Sequence, residues 1–245
     1  MSIIKKINQS TKPFVFFHTW TVSESLLKQA ITEQKSMDLD VCVDNDKPYL
    51  GHSREYHEKS GEPYFKSLPI WDAVDKVAQS DIFAMIDCKH YDAWPVIEEV
   101  VKKIGSDRCI VGGYVSEFKF GYSRGDNEPD YLSEWSPIEK LKSIKMKYPS
   151  VTTTACVKWP PVDMLTNNRY RRLVEYIIAV SKDNNIDTIC LGVPDDTITD
   201  QWLRHFKKEN IMPHIVIDNA DTSKLTELYI GETDHLERTT VSSTL

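Results

Sequence analysis

The stretch Phe14-Val15-Phe16-Phe17-His18-Thr19-Trp20-Thr21-Val22-Ser23-Glu24 contains an apolar run, a polar turn and the start of a helix. Phe14–Trp20 reads as a buried strand, because a short continuous apolar run suits a strand covered on both faces. Thr21-Val22-Ser23-Glu24 has the spacing of a capping box, and Leu26, Leu27, Ala30 and Ile31 behind it share one helical face. A strand that passes straight into a helix is the first half of a parallel β/α repeat. The turn then discriminates between the two architectures built from that repeat. An open doubly wound sheet that binds a dinucleotide has a glycine-rich turn at this point, whereas this chain has His18-Thr19-Trp20.

The same rhythm continues outward from this segment. Asp38–Val43 and Ile82–Lys89 read as the next two strands, with Ile70, Val74, Val77 and Ala78 on a helix between them. A helix follows with Pro95 near its first turn, a stripe of Val96, Ile97, Val100, Val101 and Ile104, and Gly105 as its stop. Arg108–Val115, Val151–Trp159, Thr188–Val193 and His214–Ile217 read as further strands. Between them stand a second capping box, Ser136-Pro137-Ile138-Glu139, and helical faces marked by Leu173, Tyr176, Ile177 and Val180 and by Trp202, Leu203 and Phe206. Leu225 and Leu228 fit a short helix, and Leu236–Val241 is the candidate for a last strand. About eight strands alternating with helices predict an α/β fold, a single (β/α)8 barrel of TIM type spanning residues 1–245 as one domain. The length of 245 residues agrees with the ~250 that such a barrel needs.

Composition excludes several classes of function. A net charge of -7 argues against a nucleic-acid or anionic-membrane surface, which rewards clustered Lys and Arg. The basic clusters around Lys140–Lys147 and Arg169–Arg172 read as solvated helix faces. Cys42, Cys109, Cys156 and Cys190 sit within or beside apolar runs, the total of 5 is odd, and no Cys-x-x-Cys is present. They read as small buried hydrophobes in a reducing compartment. Met1–Lys12 has no apolar core of a secretory signal, and no apolar stretch approaches the ~20 residues of a membrane span. The expected location is the cytoplasm; the oligomeric state is left open.

Polar residues close the apolar runs where barrel enzymes keep their chemistry, at the C-terminal ends of strands. Asp38 and Asp40 share one face of their strand by alternation, as do Asp87 and Lys89. If both faces look into a barrel, three carboxylates converge, a hard-oxygen set suited to Mg²⁺ or Ca²⁺. His18 and His52 supply imidazoles for acid–base work beside them. Each residue alone has a plainer reading: a solvated acidic pair, an ion pair between Asp87 and Lys89, a structural His18, a surface His52. His57 and His90 read as bystanders. Two long connections, Asn45–Leu68 and Gly121–Trp135, are candidate lids or substrate-binding loops. The chain has no Gly-x-Ser-x-Gly elbow, P-loop or His-Glu-x-x-His motif.

In order and spacing, His18, Asp38-Leu39-Asp40, Gly51-His52 and Asp87-Cys88-Lys89 resemble the glycerophosphodiester phosphodiesterase and sphingomyelinase-D-like superfamily of phosphodiesterases. The step from His18 to Asp38 and the Asp-x-Lys form are most similar to its sphingomyelinase-D-like and menorin-like branches. The family usually has Glu where this chain has Asp38. The His-Arg-Gly and Glu-Asn-Thr signatures of glycerophosphodiester enzymes and the cysteine-rich loop of secreted spider enzymes are missing.

The resemblance implies a metal-dependent phosphoric diester hydrolase, or a lyase that forms a cyclic phosphate, acting on a small-molecule phosphodiester. It assigns one divalent cation, Mg²⁺ or Ca²⁺, to Asp38, Asp40 and Asp87, and catalysis to His18 and His52. Lys89 would hold the phosphate as a point charge, with Lys158 and Trp159 in the substrate pocket. Two other readings stand beside it. One is a catalytically inactive barrel that binds a phosphorylated small molecule or a partner. The other is a barrel enzyme acting on a carbonyl, an aldolase using Lys89 or Lys158, or an amidohydrolase, although the first strand lacks the His-x-His that amidohydrolases usually carry.

Overall fold

The computed structural model describes residues 3–10, 12–18, 22–52, 67–113, 115, 138–157, 168–191, 200–216, 225, 227 and 229–234. A short helix α1 (Ile3–Asn8) precedes β1 (Phe14–His18), α2 (Glu24–Thr32), β2 (Ser36–Asp44), β3 (Lys47–Leu50), α3 (Ile70–Ala78) and β4 (Ala84–Cys88). Then come α4 (Trp94–Ile104), β5 (Cys109–Gly112), α5 (Ile138–Lys147), β6 (Thr152–Val157), α6 (Asn168–Asp183), β7 (Thr188–Leu191), α7 (Asp200–Lys208), β8 (Met212–Val216) and β9 (Ile230–Asp234).

Every strand pairing except β2–β3 is parallel, and the ring closes because β1 pairs with both β2 and β9. Register confirms the closure. A path that leaves β2 at Asp40 and steps from partner to partner around the barrel returns to the level of residue 32, eight positions earlier. Eight strands with a shear of eight is the geometry of a TIM barrel.

Strand alternation sorts the core into two parts. Met37, Leu39, Val41, Ile86, Val111, Ala155 and Ile189 face outward and pack with the apolar stripes of the surrounding helices. Phe16, Met85, Ile110, Met212 and Ile230 face the lumen, and α1 closes its N-terminal end by inserting the fully buried Ile3 and Ile7. Each such isoleucine contributes about 1.5–3 kcal/mol through burial. The opposite, C-terminal end of the lumen is lined by polar side chains.

Three boundaries differ from the expectations. The last barrel strand is Ile230–Asp234, ahead of Leu236–Val241, which lies outside the described residues. Its apolar signal is short because Gly231, Glu232 and Asp234 follow Ile230 toward the mouth. The N-cap of α2 is Ser23, whose side chain accepts from the Leu26 amide at 3.2 Å, so the cap falls two residues beyond Thr21. The connection after β2 is not all loop. Asn45 and Asp46 take left-handed φ values of 48° and 61°, the requirement of a two-residue hairpin turn, and β3 folds back antiparallel on β2.

Arg108 joins three elements at the N-terminal side of the barrel. Its guanidinium donates to the carbonyls of Val77, Ala78, Ser80, Ile82 and Ile104, capping the C-terminal ends of α3 and α4 beside the start of β5. Charged hydrogen bonds are worth about 1.5–3 kcal/mol each before non-additivity. Arg108→Met should therefore lower the unfolding free energy by about 2–3 kcal/mol in urea titrations, and Arg108→Lys should recover little of it. An ammonium cannot reproduce the planar fork that reaches several carbonyls.

Candidate metal and acid–base site

The site is assembled by register. β2 and β4 pair with Asp40 opposite Asp87, and by alternation Asp38 shares the lumen face of Asp40. The result is three carboxylates with oxygens within 4.8 Å of one another, all buried: Asp38 and Asp40 have 0% and 1% exposure. The convergence expected from alternation is present.

Lys89 sits in the middle of this group. Its Nζ lies 2.5 Å from Asp87 Oδ2 and 3.2 Å from Asp40 Oδ1, and its exposure is 4%. The backbone holds it there, since the Lys89 amide donates to the Val41 carbonyl at 2.9 Å as the chain leaves β4. Burial alone would push its ammonium toward neutrality, yet the charges of Asp40, Asp87 and Asp38 reverse that and hold its pKa well above the usual lysine value. Lys89 is thus a charged bridge between two strands.

The β2–β3 hairpin delivers His52. Gly51 donates its amide to the Asp40 carbonyl at 2.8 Å, and the Tyr49 hydroxyl donates to the His52 carbonyl at 3.3 Å. His52 then places Nε2 3.0 Å from Asp40 Oδ2 with 7% exposure. Asp40 therefore divides its two oxygens between a lysine and an imidazole.

His18 ends β1 at the register position of Asp234 on β9. On its other side, β1 pairs with β2 through Phe16 opposite Ser36, so His18 and Asp38 stand two residues further along the same pair of strands. His90 is half-buried and accepts from the Asp92 amide at 3.3 Å, capping the turn Tyr91–Ala93. His57, Lys158, Trp159, most of the connection after β3 and all of Gly121–Trp135 lie outside the described residues.

Several residues of the mouth escaped the reading of the sequence. Glu232 and Asp234 occupy alternate positions of β9 beside β1, and placing the last strand too late hid them. The spacing of Ile230, Glu232 and Asp234, read as alternation, was the available signal. His214, completely buried, puts Nδ1 3.2 Å from Thr154 Oγ1 across the lumen. Gly112, the register partner of Asp87, leaves room for Thr154. A Cβ there would meet Thr154 Cγ2 at 2.1 Å and its carbonyl oxygen at 2.9 Å.

A glycerophosphoryl diester phosphodiesterase from Parabacteroides distasonis superposes with a TM-score of 0.57 at 11% identity, over 96% of this chain and 89% of its own. The chain shares the barrel fold of glycerophosphodiester phosphodiesterases. A glycerophosphodiester phosphodiesterase from Thermotoga maritima gives 0.55 at 12% identity over 91% of this chain and 96% of its own. N-(5'-phosphoribosyl)anthranilate isomerase from Pyrococcus furiosus also matches, at 0.52 and 11% identity over 91% and 88%, so the architecture is common to barrels of other chemistry. No protein-family model and no curated protein sequence matches the chain.

Removing Lys89 leaves its carboxylate neighbours buried without that charge. Lys89→Met should destabilise the protein by about 3–5 kcal/mol, the range for breaking a buried ion pair from one side. Thermal melts should recover part of that loss on adding millimolar Mg²⁺ or Ca²⁺, with a larger shift than in the wild type.

Proposed function

We propose that this chain is a divalent-metal-dependent phosphodiesterase, a single domain over residues 1–245 acting in the cytoplasm on a small-molecule phosphodiester. The observation that carries the reading is the buried cluster of Asp38, Asp40 and Asp87 with His52 against Asp40. Three carboxylates face one lysine, so the cluster holds more negative than positive charge where solvent is scarce. A divalent cation would balance it, and hard oxygen donors suit Mg²⁺ or Ca²⁺. The donor set fits, and Asp38, Asp40 and Asp87 are the residues that would hold the ion. When bound, such an ion polarises a phosphoryl oxygen as a Lewis acid.

The chain's own residues supply the remaining parts. His52, whose Nε2 lies 3.0 Å from Asp40 Oδ2, would be one of the two acid–base imidazoles. His18, at the end of the neighbouring strand β1, would serve as its opposite number, one imidazole acting as base or nucleophile and the other protonating the leaving oxygen. Lys89 is the fixed positive charge that would draw the phosphate toward the carboxylate cluster. Lys158 and Trp159, just beyond β6, are candidates for the substrate pocket. Among the described residues no helix is long and apolar enough to cross a membrane.

Aryl and glycerol phosphodiesters assayed with Mg²⁺ and Ca²⁺ test this reading. Turnover should be lost on chelation and fall by about 10²–10⁴-fold in His18→Ala and in His52→Ala, the usual span for a general acid or base. No turnover on any substrate would favour a barrel that only binds a phosphorylated small molecule or partner. Turnover indifferent to both substitutions would remove the assigned site, and borohydride trapping of an imine on Lys89 or Lys158 would point to carbonyl chemistry instead.

A further inference from the structure

Two of the chain's 5 cysteines differ from the rest in their surroundings. Cys42, Cys88 and Cys109 have no exposed surface, and burial pushes the Cys42 thiol up to about 11 and the Cys109 thiol up to about 12. A thiol that stays protonated is a poor nucleophile. Cys156 and Cys190 instead belong to the lumen cluster and keep 8% and 6% exposure. They are also direct register partners on the adjacent parallel strands β6 and β7. Among the described residues no other two cysteines pair in this way: Cys42 stands opposite Tyr49, Cys88 opposite Val41 and Cys109 opposite Ala84.

Register partners on neighbouring strands lie about 4.8 Å apart. That is inside the Cα separation of roughly 4.4–6.8 Å that a disulfide accepts. Alternation turns both side chains to the same face, and both belong to the lumen cluster. In the ring of eight strands, β6 and β7 lie across the barrel from β1 and β2. Both cysteines are reduced in this structure.

We propose that Cys156 and Cys190 form a vicinal dithiol that hydrogen peroxide closes to a disulfide. The thiolate of one attacks a peroxide oxygen; the O–O bond breaks, a sulfenic acid forms and one water is released. The second thiol attacks that sulfur; the S–S bond forms, the S–O bond breaks and a second water leaves. Two thiol hydrogens and two electrons have then passed to the peroxide, which is reduced to water. The bridge would join the lumen wall at the roots of the segments 158–167 and 192–199, two residues before Lys158. This inference does not depend on the phosphodiesterase reading.

The test uses the full-length wild-type protein. After peroxide treatment it is unfolded, alkylated with N-ethylmaleimide and digested without reductant. The expected product is a peptide joining Cys156 to Cys190, lighter by two hydrogens than its parts and split by dithiothreitol, with maleimide retained on Cys42, Cys88 and Cys109. In the untreated protein, phenylarsine oxide, which bridges neighbouring thiols, should protect both cysteines from alkylation, and Cys156→Ser should abolish protection of Cys190. Recovery of Cys156 and Cys190 as separate adducts or separate sulfinic acids after peroxide would overturn the proposal. So would failure of the arsenical to protect them.

Discussion

The constraint on which the site depends is the cost of placing three carboxylates together out of water. Like charges that close repel, and each buried carboxylate loses its hydration. Lys89 answers part of that cost by bridging Asp40 and Asp87. Because those two acids come from β2 and β4, the same lysine also fixes the two strands at their C-terminal ends. Electrostatics and strand register are therefore one problem here. A shift of β4 by one residue would turn Asp87 away from the lumen and strand Asp40 without its cation.

The lumen divides along its axis for the same reason. Its N-terminal half is filled with Phe16, Met85, Ile110, Met212 and Ile230 and closed by Ile3 and Ile7 of α1. That dry packing gives the polar half a rigid floor. Thr154, His214 and Thr188 lie between the two, with the His214–Thr154 hydrogen bond spanning β8 and β6. Only above this level do the charged groups begin. A barrel that keeps charge at its mouth can use loops to change what approaches while the strands hold the charged atoms still.

Much of this was legible in the sequence, and the reasons are local. Buried parallel strands are continuous apolar runs, so Phe14–Phe17 and Ala84–Ile86 announce themselves. Alternation alone put Asp38 with Asp40 and Asp87 with Lys89. What alternation cannot supply is register between strands. It gave Lys89 a face but not Asp40 as its second partner, which follows from the pairing of Asp40 with Asp87. The hairpin was missed because Asp44-Asn45-Asp46 reads as the start of a long polar loop, and its turn depends on left-handed backbone angles that two polar residues can adopt. The last strand was misplaced because a mouth strand that ends in Glu232 and Asp234 loses the apolar signal by which strands are recognised.

His52 shows how these pieces combine. Taken from the sequence it is a loop histidine after a glycine, with exposure as the default. The antiparallel return of β3 turns it back over β2, the Gly51 amide locks onto the Asp40 carbonyl, and the imidazole meets the Asp40 carboxylate. One residue, Asp40, then senses both the lysine of β4 and the histidine of the hairpin. Anything that changes the charge on Asp40, a proton or a cation, must alter both contacts together. On the proposed reading, cation binding and the orientation of an acid–base histidine are coupled through that single carboxylate. On the same reading the shorter arm of Asp38, where the family it resembles usually has glutamate, would leave more of the burden of holding the ion to Asp40 and Asp87.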